Sequence, residues 1–210
     1  MPIRRAPEPT VQRLSSYLRC LRQADVEGLE TISSAGIEER TGISAGQVRK
    51  DFSYFGEFGK PGLGYSVKHL LAWISQIMKV DRQRKVIIVG AGNLGSALAG
   101  YQGLRNSNFL LVAVFDNNLS KIGRHLWDMQ ILDMTELPRV VKEHNVEIGI
   151  ITTPAIAAQQ VAEQMAQAGI RSILNFAPTR ILPTNTTPLR VRNVDLIREL
   201  EVVCFYLPDC

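Results

Sequence analysis

The sequence has few of the features that mark membrane or secreted proteins. Its longest apolar stretches, such as residues 86–89 and 148–151, are far shorter than the ~20 residues that cross a bilayer. Its N-terminus lacks the apolar core of a signal peptide. We therefore expect a cytoplasmic protein with no membrane partner.

Cysteine and histidine are also scarce, with three residues of each among 210. Cys20, Cys204 and Cys210 form neither a C-x-x-C pair nor a Cys/His cluster, and an odd number of scattered thiols suits a reducing compartment. The isolated histidines favour solvated or core positions over catalytic ones: His69, His125 and His144. We expect no metal site, no structural disulfide and no catalytic residue.

The rest of the composition, 45% hydrophobic and 21% charged, is that of an ordinary folded protein and excludes disordered and collagen-like classes. The formal net charge of +4 is distributed unevenly. Residues 1–80 hold 11 Lys/Arg against 8 Asp/Glu, whereas residues 81–210 hold 13 against 12. This basic excess indicates that a nucleic-acid contact should be sought in the first third of the chain.

The first 80 residues have the pattern of a helix-turn-helix. Apolar residues recur at helical spacing over residues 10–24, and we interpret Thr10 as the cap of this helix. A second helix is predicted over residues 34–40 and is ended by a glycine. Ser44 and Gln47 then match a capping box, so that a third helix begins only three residues later.

The third helix is predicted to be a DNA-recognition helix, and residues 56–65, with four glycines and a Pro-Gly pair, predict a hairpin wing behind it. Val48, Phe52 and Phe55 lie at i, i+4 and i+7, which predicts a buried face. The alternative is a solvated basic surface with a tyrosine at the edge of the core. The predicted contacts to phosphates and base edges are Ser44, Gln47, Arg49, Lys50, Ser53, Tyr54 and Lys60.

From residue 85, short β-branched runs alternate with helical segments, which predicts a parallel sheet with helices on both faces. The predicted strands are 85–89, 110–115, 129–132, 147–152, 171–175 and 189–194, and the predicted helices are 93–103, 135–144 and 155–168. The predicted fold class is therefore α/β: a winged helix-turn-helix domain (1–80) joined to a doubly wound Rossmann domain (81–195). Residues 196–210 form an apolar helical tail that we expect to pack against another subunit.

Residues 90–95 match G-x-G-x-x-G directly after a predicted strand and before a predicted helix. Gly90 permits the tight turn, Gly92 lets a pyrophosphate approach the helix N-terminus, and Gly95 lets helix and strand pack closely. Asp116 ends the next strand, where a carboxylate binds the adenosine ribose and repels a 2′-phosphate, which favours NAD(H) over NADP(H). The alternative is a glycine-rich turn in a nucleotide-free domain.

Two loops after later strands are expected to border the nicotinamide, because ligands lie at the carboxyl ends of the strands in such sheets. The alternative for each loop is an ordinary strand-ending turn chosen for its proline. The predicted dinucleotide-binding residues are Gly90, Ala91, Gly92, Asn93, Leu94, Gly95, Asp116, Thr153, Pro154, Asn175, Phe176, Ala177 and Pro178.

Together these motifs resemble the Rex family of redox-sensing bacterial transcriptional repressors, over about residues 8–207. The segments that carry the resemblance are 47–56, Gly59, 62–65, 90–101, 175–178 and 193–195. The resemblance implies a homodimer that binds palindromic operator DNA with NAD+ or no ligand and leaves it when NADH binds.

The resemblance also implies that the C-terminal helix is exchanged between subunits. It adds Tyr101 to the dinucleotide site and links Arg19, Tyr101 and Asp195 into the contact that senses the cofactor state. Two positions differ from the family pattern. Pro61 stands where the wing often has a second basic residue, and Leu196 stands where some members have Phe beside the nicotinamide.

The alternative function is that of a small NAD-dependent oxidoreductase. Against it, the chain after residue 80 leaves no second domain to hold a substrate, and no Tyr-x-x-x-Lys or similarly placed His/Asp pair supplies a proton. A further alternative is a nucleotide-binding regulatory subunit whose first 80 residues bind protein. We expect the repressor, with NADH and NAD+ as its ligands.

Overall fold

The computed structural model describes residues 6–56, 64–105, 107–182 and 188–208. The chain divides into two compact units, Met1–Arg82 and Gln83–Cys210. The three-part division with a separate tail from residue 196 stays a prediction.

The first unit contains the predicted helix-turn-helix. Its elements are α1 (Glu8–Val26), β1 (Thr31–Ile32), α2 (Ser34–Thr41), α3 (Ala45–Ser53), β2 (Tyr65–Ser66) and α4 (Val67–Ile77). Gly42 ends α2 with φ +71, a left-handed conformation that glycine adopts without strain. The hydroxyl of Ser44 then accepts a hydrogen bond from the Gln47 N–H and starts α3.

The core of the first unit is built on aromatic and aliphatic side chains of α1, α3 and α4. Val48 and Phe52 are buried, as the spacing in α3 predicts, whereas Phe55 lies beyond the end of α3 and is only partly buried; Tyr17 of α1 is buried beside them. Phe52 meets Tyr17 and Tyr65 edge to face, each with ring centroids 5.3 Å apart, a geometry favoured by aromatic quadrupoles. These contacts hold the apolar face of α3 against the rest of the unit.

The short sheet of this unit includes a strand, β1, that the sequence pattern did not predict. β2 pairs with β1, which lies between α1 and α2, through Thr31 opposite Ser66 and Ile32 opposite Tyr65. A strand of two residues carries no alternation that a sequence pattern could show. The proposed wing tip, including Lys60 and Pro61, lies in residues 57–63, outside the described part of the chain.

The prediction that Thr10 caps α1 is wrong. α1 begins at Glu8 after Pro7, and Thr10 is buried within its first turn. Its hydroxyl donates to the carboxylate of Asp51 at 3.3 Å. Proline near the start of the helix supplies the fixed φ that favours an N-terminus there.

The second unit is a Rossmann-like sheet with helices. Its elements are β3 (Arg84–Val89), α5 (Asn93–Ala99), α6 (Gln102–Arg105), β4 (Phe109–Asp116), β5 (His125–Leu126), β6 (Met129–Asp133), a 3₁₀ turn (Met134–Glu136), α7 (Leu137–His144), β7 (Ile148–Ile151), α8 (Ala155–Ala168), β8 (Ser172–Asn175), β9 (Arg190–Asn193) and α9 (Leu196–Phe205).

The described strands follow the order β5-β6-β4-β3-β7-β8-β9. All pairs are parallel except β5 with β6, an antiparallel hairpin that the sequence pattern did not predict. β4 and β6 lie on one side of β3, whereas β7, β8 and β9, which follow later in the chain, lie on its other side. The carboxyl end of β3 is therefore the switch point of the sheet, where such folds bind ligands.

The predicted helix over residues 93–103 is broken into α5 and α6. The break lies at Gly100, where an added Cβ would overlap the indole ring of Trp127. Trp127 lies in the β5–β6 hairpin and donates from Nε1 to the carbonyl of Ser96 at 3.1 Å. The interruption thus depends on a residue remote in sequence, which periodicity cannot reveal.

The tail forms α9, and each of its large apolar side chains is exposed, from Val202 at 49% to Phe205 at 82%. Asp195 caps it, with Oδ1 accepting from the N–H groups of Ile197 and Arg198 at 3.1 and 3.2 Å. Exposed apolar surface of this kind is typical of an interaction site, so we expect α9 to pack against another surface.

Candidate functional site

The polar side of α3 is open to solvent in the first unit. Arg49, Lys50 and Ser53 are exposed, as are Ser44 and half of the Tyr54 side chain. Arg49 donates from Nη1 to the hydroxyl of Ser34 at 2.8 Å, which ties its guanidinium to the first turn of α2. Arg49 and Lys50 are therefore two neighbouring cations on the exposed side of α3.

Gln47 does not have the role that the capping box predicts. Its side-chain amide donates to Oδ1 of Asp51 at 2.7 Å, one turn further along α3, instead of reaching back to the helix start. Only the Ser44 half of the box is formed. The predicted contact of Gln47 with bases stays a prediction.

Asp51 is the buried centre of a polar cluster that joins α3 to α1. Arg13 binds it through two nitrogens, Nε to Oδ2 at 2.6 Å and Nη2 to Oδ1 at 2.7 Å. Tyr17 donates to Oδ2 at 2.7 Å, and Gln47 and Thr10 donate to Oδ1. Burial by itself would raise the pKa of Asp51, but the hydrogen bonds from Arg13, Tyr17 and Gln47 outweigh it and hold the pKa below its ordinary value.

The pKa of Tyr17 is raised, mainly because the phenol is buried and also because it donates a hydrogen bond to Asp51. The cluster was missed in the sequence because no motif marks it: Arg13 and Asp51 are 38 positions apart. Its only signal is a carboxylate inside an otherwise basic recognition helix.

The second unit contains a cavity of about 840 Å³ at the switch point of the sheet. This is within the range of small-molecule and cofactor pockets. Among the predicted residues, those that line it are Gly90, Gly92, Leu94, Asp116, Thr153, Pro154, Phe176 and Pro178.

The glycine turn has the geometry that its motif predicts. Gly90 takes φ +108, and an added Cβ there would lie 2.7 Å from the carbonyl oxygen of Thr152. At Gly95 a Cβ would overlap the carbonyl of Gly90, so helix and strand meet backbone to backbone. At Gly92, by contrast, nothing of the described protein lies within 4 Å of the added Cβ. The N-terminus of α5 begins there without a side-chain cap and faces the cavity.

Asp116 is 7% exposed at the end of β4. Its Oδ2 accepts from the Ala91 N–H at 2.8 Å and from Lys121 at 3.0 Å, and its Oδ1 accepts from the Asn118 N–H at 2.9 Å. Burial favours a higher pKa, but these hydrogen bonds outweigh it and lower the pKa of Asp116. The carboxylate is therefore charged at neutral pH and already has three donors.

Thr153 supplies an orphaned polar atom. Its Oγ1 is buried and has no hydrogen-bond partner among the described residues. It lines the cavity after β7. Since a buried hydroxyl without a partner is costly, the position suits a polar ligand group that would bind it.

Asn175 and Ala177 lie behind the cavity surface instead of lining it. Asn175 is fully buried, and its amide donates to the carbonyls of Ala177 and Thr179 and to Oδ1 of Asn193. Its Oδ1 accepts from the Ala177 N–H. The side chain thus holds the loop that carries Phe176 and Pro178. Ala91 and Gly95 also do not line the cavity; they belong to the backbone of the glycine turn. Asn93 and Tyr101 are likewise absent from the lining.

Several lining residues were not predicted. They are Val89, Asn117, Asn118, Lys121, Met134, Thr152, Ile156, Ala157, Gln160, Val161 and Gln164. One signal was available: Ile156, Gln160 and Gln164 recur at i, i+4 and i+8 on α8, and Ile156 is 96% exposed. An exposed isoleucine in line with two glutamines indicates a ligand-facing side.

Of the three proposed switch residues, Arg19 belongs to the first unit, and Tyr101 and Asp195 belong to the second. Arg19 is exposed on α1, whereas Tyr101, 61% exposed, lies between α5 and α6 and Asp195 caps α9. Their linkage stays a prediction.

The described ranges contain neither a metal-binding cluster nor a membrane-spanning helix. No group of three or more His, Cys, Asp or Glu side chains there could hold a metal ion. Among the same residues, no helix has both the length and the apolarity needed to cross a membrane.

Comparisons with known proteins agree with this arrangement. Residues 5–53 match the family model "Putative DNA-binding protein N-terminus", and residues 81–179 match "CoA binding domain". The chain is 49% identical over 202 residues to a protein of Desulforamulus reducens named redox-sensing transcriptional repressor Rex, covering 96% of this chain and 95% of that one. A Pelotomaculum thermopropionicum protein of the same name is 46% identical, with 97% and 94% covered.

Solved structures show the same similarity over both units. RSP in complex with β-NAD+ and operator DNA matches with a TM-score of 0.88 and 32% identity, over 96% of this chain and 92% of that chain. RSP in complex with β-NADH matches with a TM-score of 0.82 and 30% identity, over 95% and 93%.

Proposed function

This chain belongs to the Rex family of redox-sensing transcriptional repressors, and from that premise we propose that it binds palindromic operator DNA as a homodimer and releases it when NADH binds. The observation that carries the proposal is the presence, in one chain, of an exposed cationic recognition helix and a dinucleotide cavity with an uncapped helix N-terminus. NADH and NAD+ are the proposed ligands, and the cytoplasm is the proposed location.

For the DNA contact, we assign Arg49 and Lys50 to phosphates or guanine edges, with Ser44, Ser53 and Tyr54 beside them. Lys60 remains a proposed wing contact. Gln47 is reassigned as a positioning residue, because its amide already binds Asp51. Base recognition is then assigned to the exposed side chains of α3 named above.

For the dinucleotide, the uncapped N-terminus of α5 at Gly92 is proposed to bind the pyrophosphate, since helix N-termini attract anions. Asp116 faces the adenosine ribose, and Thr153, Phe176 and Pro178 border the nicotinamide. A water-poor surface there disfavours the cationic ring of NAD+ relative to the neutral ring of NADH. The buried Oγ1 of Thr153 supports a polar ligand in this place.

The exposed α9 supports the proposal of a homodimer in which this helix packs on the partner subunit. A change in the separation of two recognition helices would then break simultaneous contact with two half-sites. Arg19, Tyr101 and Asp195 are the proposed linkage, and Asp195 has an Oδ2 that is not needed for the cap of α9. We further propose that the protein turns over no substrate.

The test measures binding of a palindromic duplex library by the purified protein during titration with NADH and, separately, with NAD+. NADH is expected to release the DNA, and by reciprocity saturating DNA must weaken NADH binding by the same factor, about 5–150-fold. A coupling factor of one would overturn the redox switch. Catalytic oxidation of NADH in the presence of small carbonyl compounds would favour an oxidoreductase instead.

Variants separate the two sites. Arg49→Ala and Lys50→Ala are each expected to cost about 1–3 kcal/mol of operator affinity if the side chain reads a base. If the side chain binds phosphate instead, the loss is uniform across sequences. NADH affinity should not change. Lys142→Ala, an equal charge change at an exposed position of α7, is the control. An unchanged operator affinity in the Arg49/Lys50 double variant would refute the helix-turn-helix assignment.

A further inference from the structure

The ribose end of the cavity contains a cation beside the acidic residue. Asn118 Oδ1 accepts from the Ser120 N–H at 2.9 Å, and the Lys121 N–H bonds to the Asn118 carbonyl at 2.8 Å. This tight turn carries Lys121 back to Asp116, where its Nζ lies 3.0 Å from Oδ2. The ion pair is therefore set by the local chain path after β4.

The two side chains differ in exposure in a way that suits a binding role. The Asp116 side chain is 8% exposed, whereas that of Lys121 is 35% exposed, and both line the cavity. An ammonium group has three N–H donors, of which the carboxylate uses one. Lys121 and Asp116 thus border the same cavity, and the ammonium of Lys121 keeps donors for a ligand.

Asp116 alone is a limited acceptor for a ribose. A carboxylate has about four lone-pair sites, and three of these are used by Ala91, Asn118 and Lys121. A ribose offers two hydroxyls, each of which is both donor and acceptor. One ribose hydroxyl can donate to the open acceptor site of Asp116 while the other accepts from the ammonium of Lys121. This pair suits the two hydroxyls better than a second acceptor site on the carboxylate would.

We propose that Lys121 is a specificity-determining residue of the dinucleotide site: with Asp116 it forms an acceptor–donor pair for the adenosine ribose, and its ammonium moderates the rejection of a 2′-phosphate. The proposal rests on the dinucleotide-binding function assigned above. A lone buried carboxylate would repel a 2′-phosphate strongly, whereas the pair is close to neutral. Selectivity for the unphosphorylated ribose is therefore a balance between two neighbouring charges.

The experiment measures dissociation constants by isothermal titration for ADP-ribose and 2′-phospho-ADP-ribose, which isolate the adenosine end, and for NADH and NADPH. Lys121→Met keeps the length of the side chain and removes its charge. It is expected to weaken ADP-ribose and NADH by no more than about fivefold but to raise the preference over the 2′-phosphorylated ligands by about tenfold or more. Asp116→Asn is expected to shift the preference in the opposite direction.

Lys142→Met, at an exposed position of α7, is the matched control and should leave every constant unchanged. A selectivity ratio that stays within about twofold of the native one in Lys121→Met would overturn the role of Lys121 while leaving dinucleotide binding intact. Native protein that binds none of the four ligands would instead overturn the proposed function and, with it, this inference. Unchanged thermal unfolding of both Lys variants shows that folding does not explain the difference.

Discussion

Asp51 in the first unit and Asp116 in the second are both buried carboxylates with lowered pKa values, yet their surroundings differ in what they leave free. Asp51 receives five hydrogen bonds, all from side chains, and these exhaust its acceptor sites. Asp116 receives three, two of them from backbone N–H groups, and lines a cavity. A saturated carboxylate stabilises a fold, whereas an unsaturated one at a cavity is available to a ligand.

The largest effect should come from removing the saturated group. Asp51→Ala leaves the buried Tyr17 hydroxyl and the partly exposed Arg13 guanidinium without their acceptor, and each buried donor left unpaired costs about 1–3 kcal/mol of the free energy of unfolding. Chemical denaturation measures it, and operator binding should fall as α3 loses its attachment to α1. Arg40→Ala breaks the exposed pair with Glu27 and should change the free energy of unfolding little. Equal effects of the two variants would contradict the comparison.

The glycine turn separates stability from ligand binding within the second unit. Gly95→Ala places a methyl group on the carbonyl of Gly90 and should cost about 1–3 kcal/mol of stability. Gly92→Ala meets open space, so its thermal unfolding should match that of the native protein. Its NADH affinity should nonetheless fall by roughly an order of magnitude, because a pyrophosphate needs that space. Native affinity in Gly92→Ala would show that the pyrophosphate lies elsewhere.

Acid should weaken the first unit through Asp51. Since its pKa is lower in the folded chain than in the unfolded chain, its contribution to stability is present above the ordinary carboxyl pKa of about 4 and is lost as the pH falls through the folded value. The effect should be smaller than that of Asp51→Ala, because a protonated carboxyl keeps part of its hydrogen bonds. Urea midpoints measured from pH 7 downwards should fall more steeply for the native protein than for Asp51→Ala. Parallel curves would count against the cluster.

The smallest effect is expected at Thr153. Thr153→Val keeps the shape and removes the orphaned hydroxyl, so thermal stability should be unchanged or slightly higher. If that hydroxyl binds the dinucleotide, NADH affinity should fall by about 0.5–1.5 kcal/mol, the usual net value of one hydrogen bond. Thr152 is unsuitable as a control, because its hydroxyl donates to Gly90. A rise in affinity would mean that Thr153 meets an apolar group.

Much of the fold follows from sequence patterns that act locally. Periodicity and capping residues predict α2, α3 and the strand–turn–helix at Gly90, and the structure contains them. What sequence reasoning missed depends on contacts between distant residues, such as the ring of Trp127 at Gly100. Strands of two residues, such as β1 and β5, are too short to show any alternation.

The same distinction applies to the sites. The motif identified the glycines, since their role is set by the backbone. It could not identify Lys121, whose meeting with Asp116 depends on a turn closed by Asn118. Nor could it show that Asn175 is buried behind the loop it was expected to present. A residue near a motif with suitable chemistry can therefore face the ligand or support the structure, and packing decides which of the two it does.

The central position of β3 has a consequence for the order in which the chain is made. β3 is the first strand of its unit to be synthesised, but both of its neighbours, β4 and β7, come later. Val89 and Thr152, which bond across β3 and β7, are 63 residues apart, so at typical elongation rates about 3–13 seconds separate their synthesis. For that interval β3 has an open, apolar edge, the kind of surface that nucleates aggregation. We therefore expect aggregation of nascent chains to begin at this edge of β3.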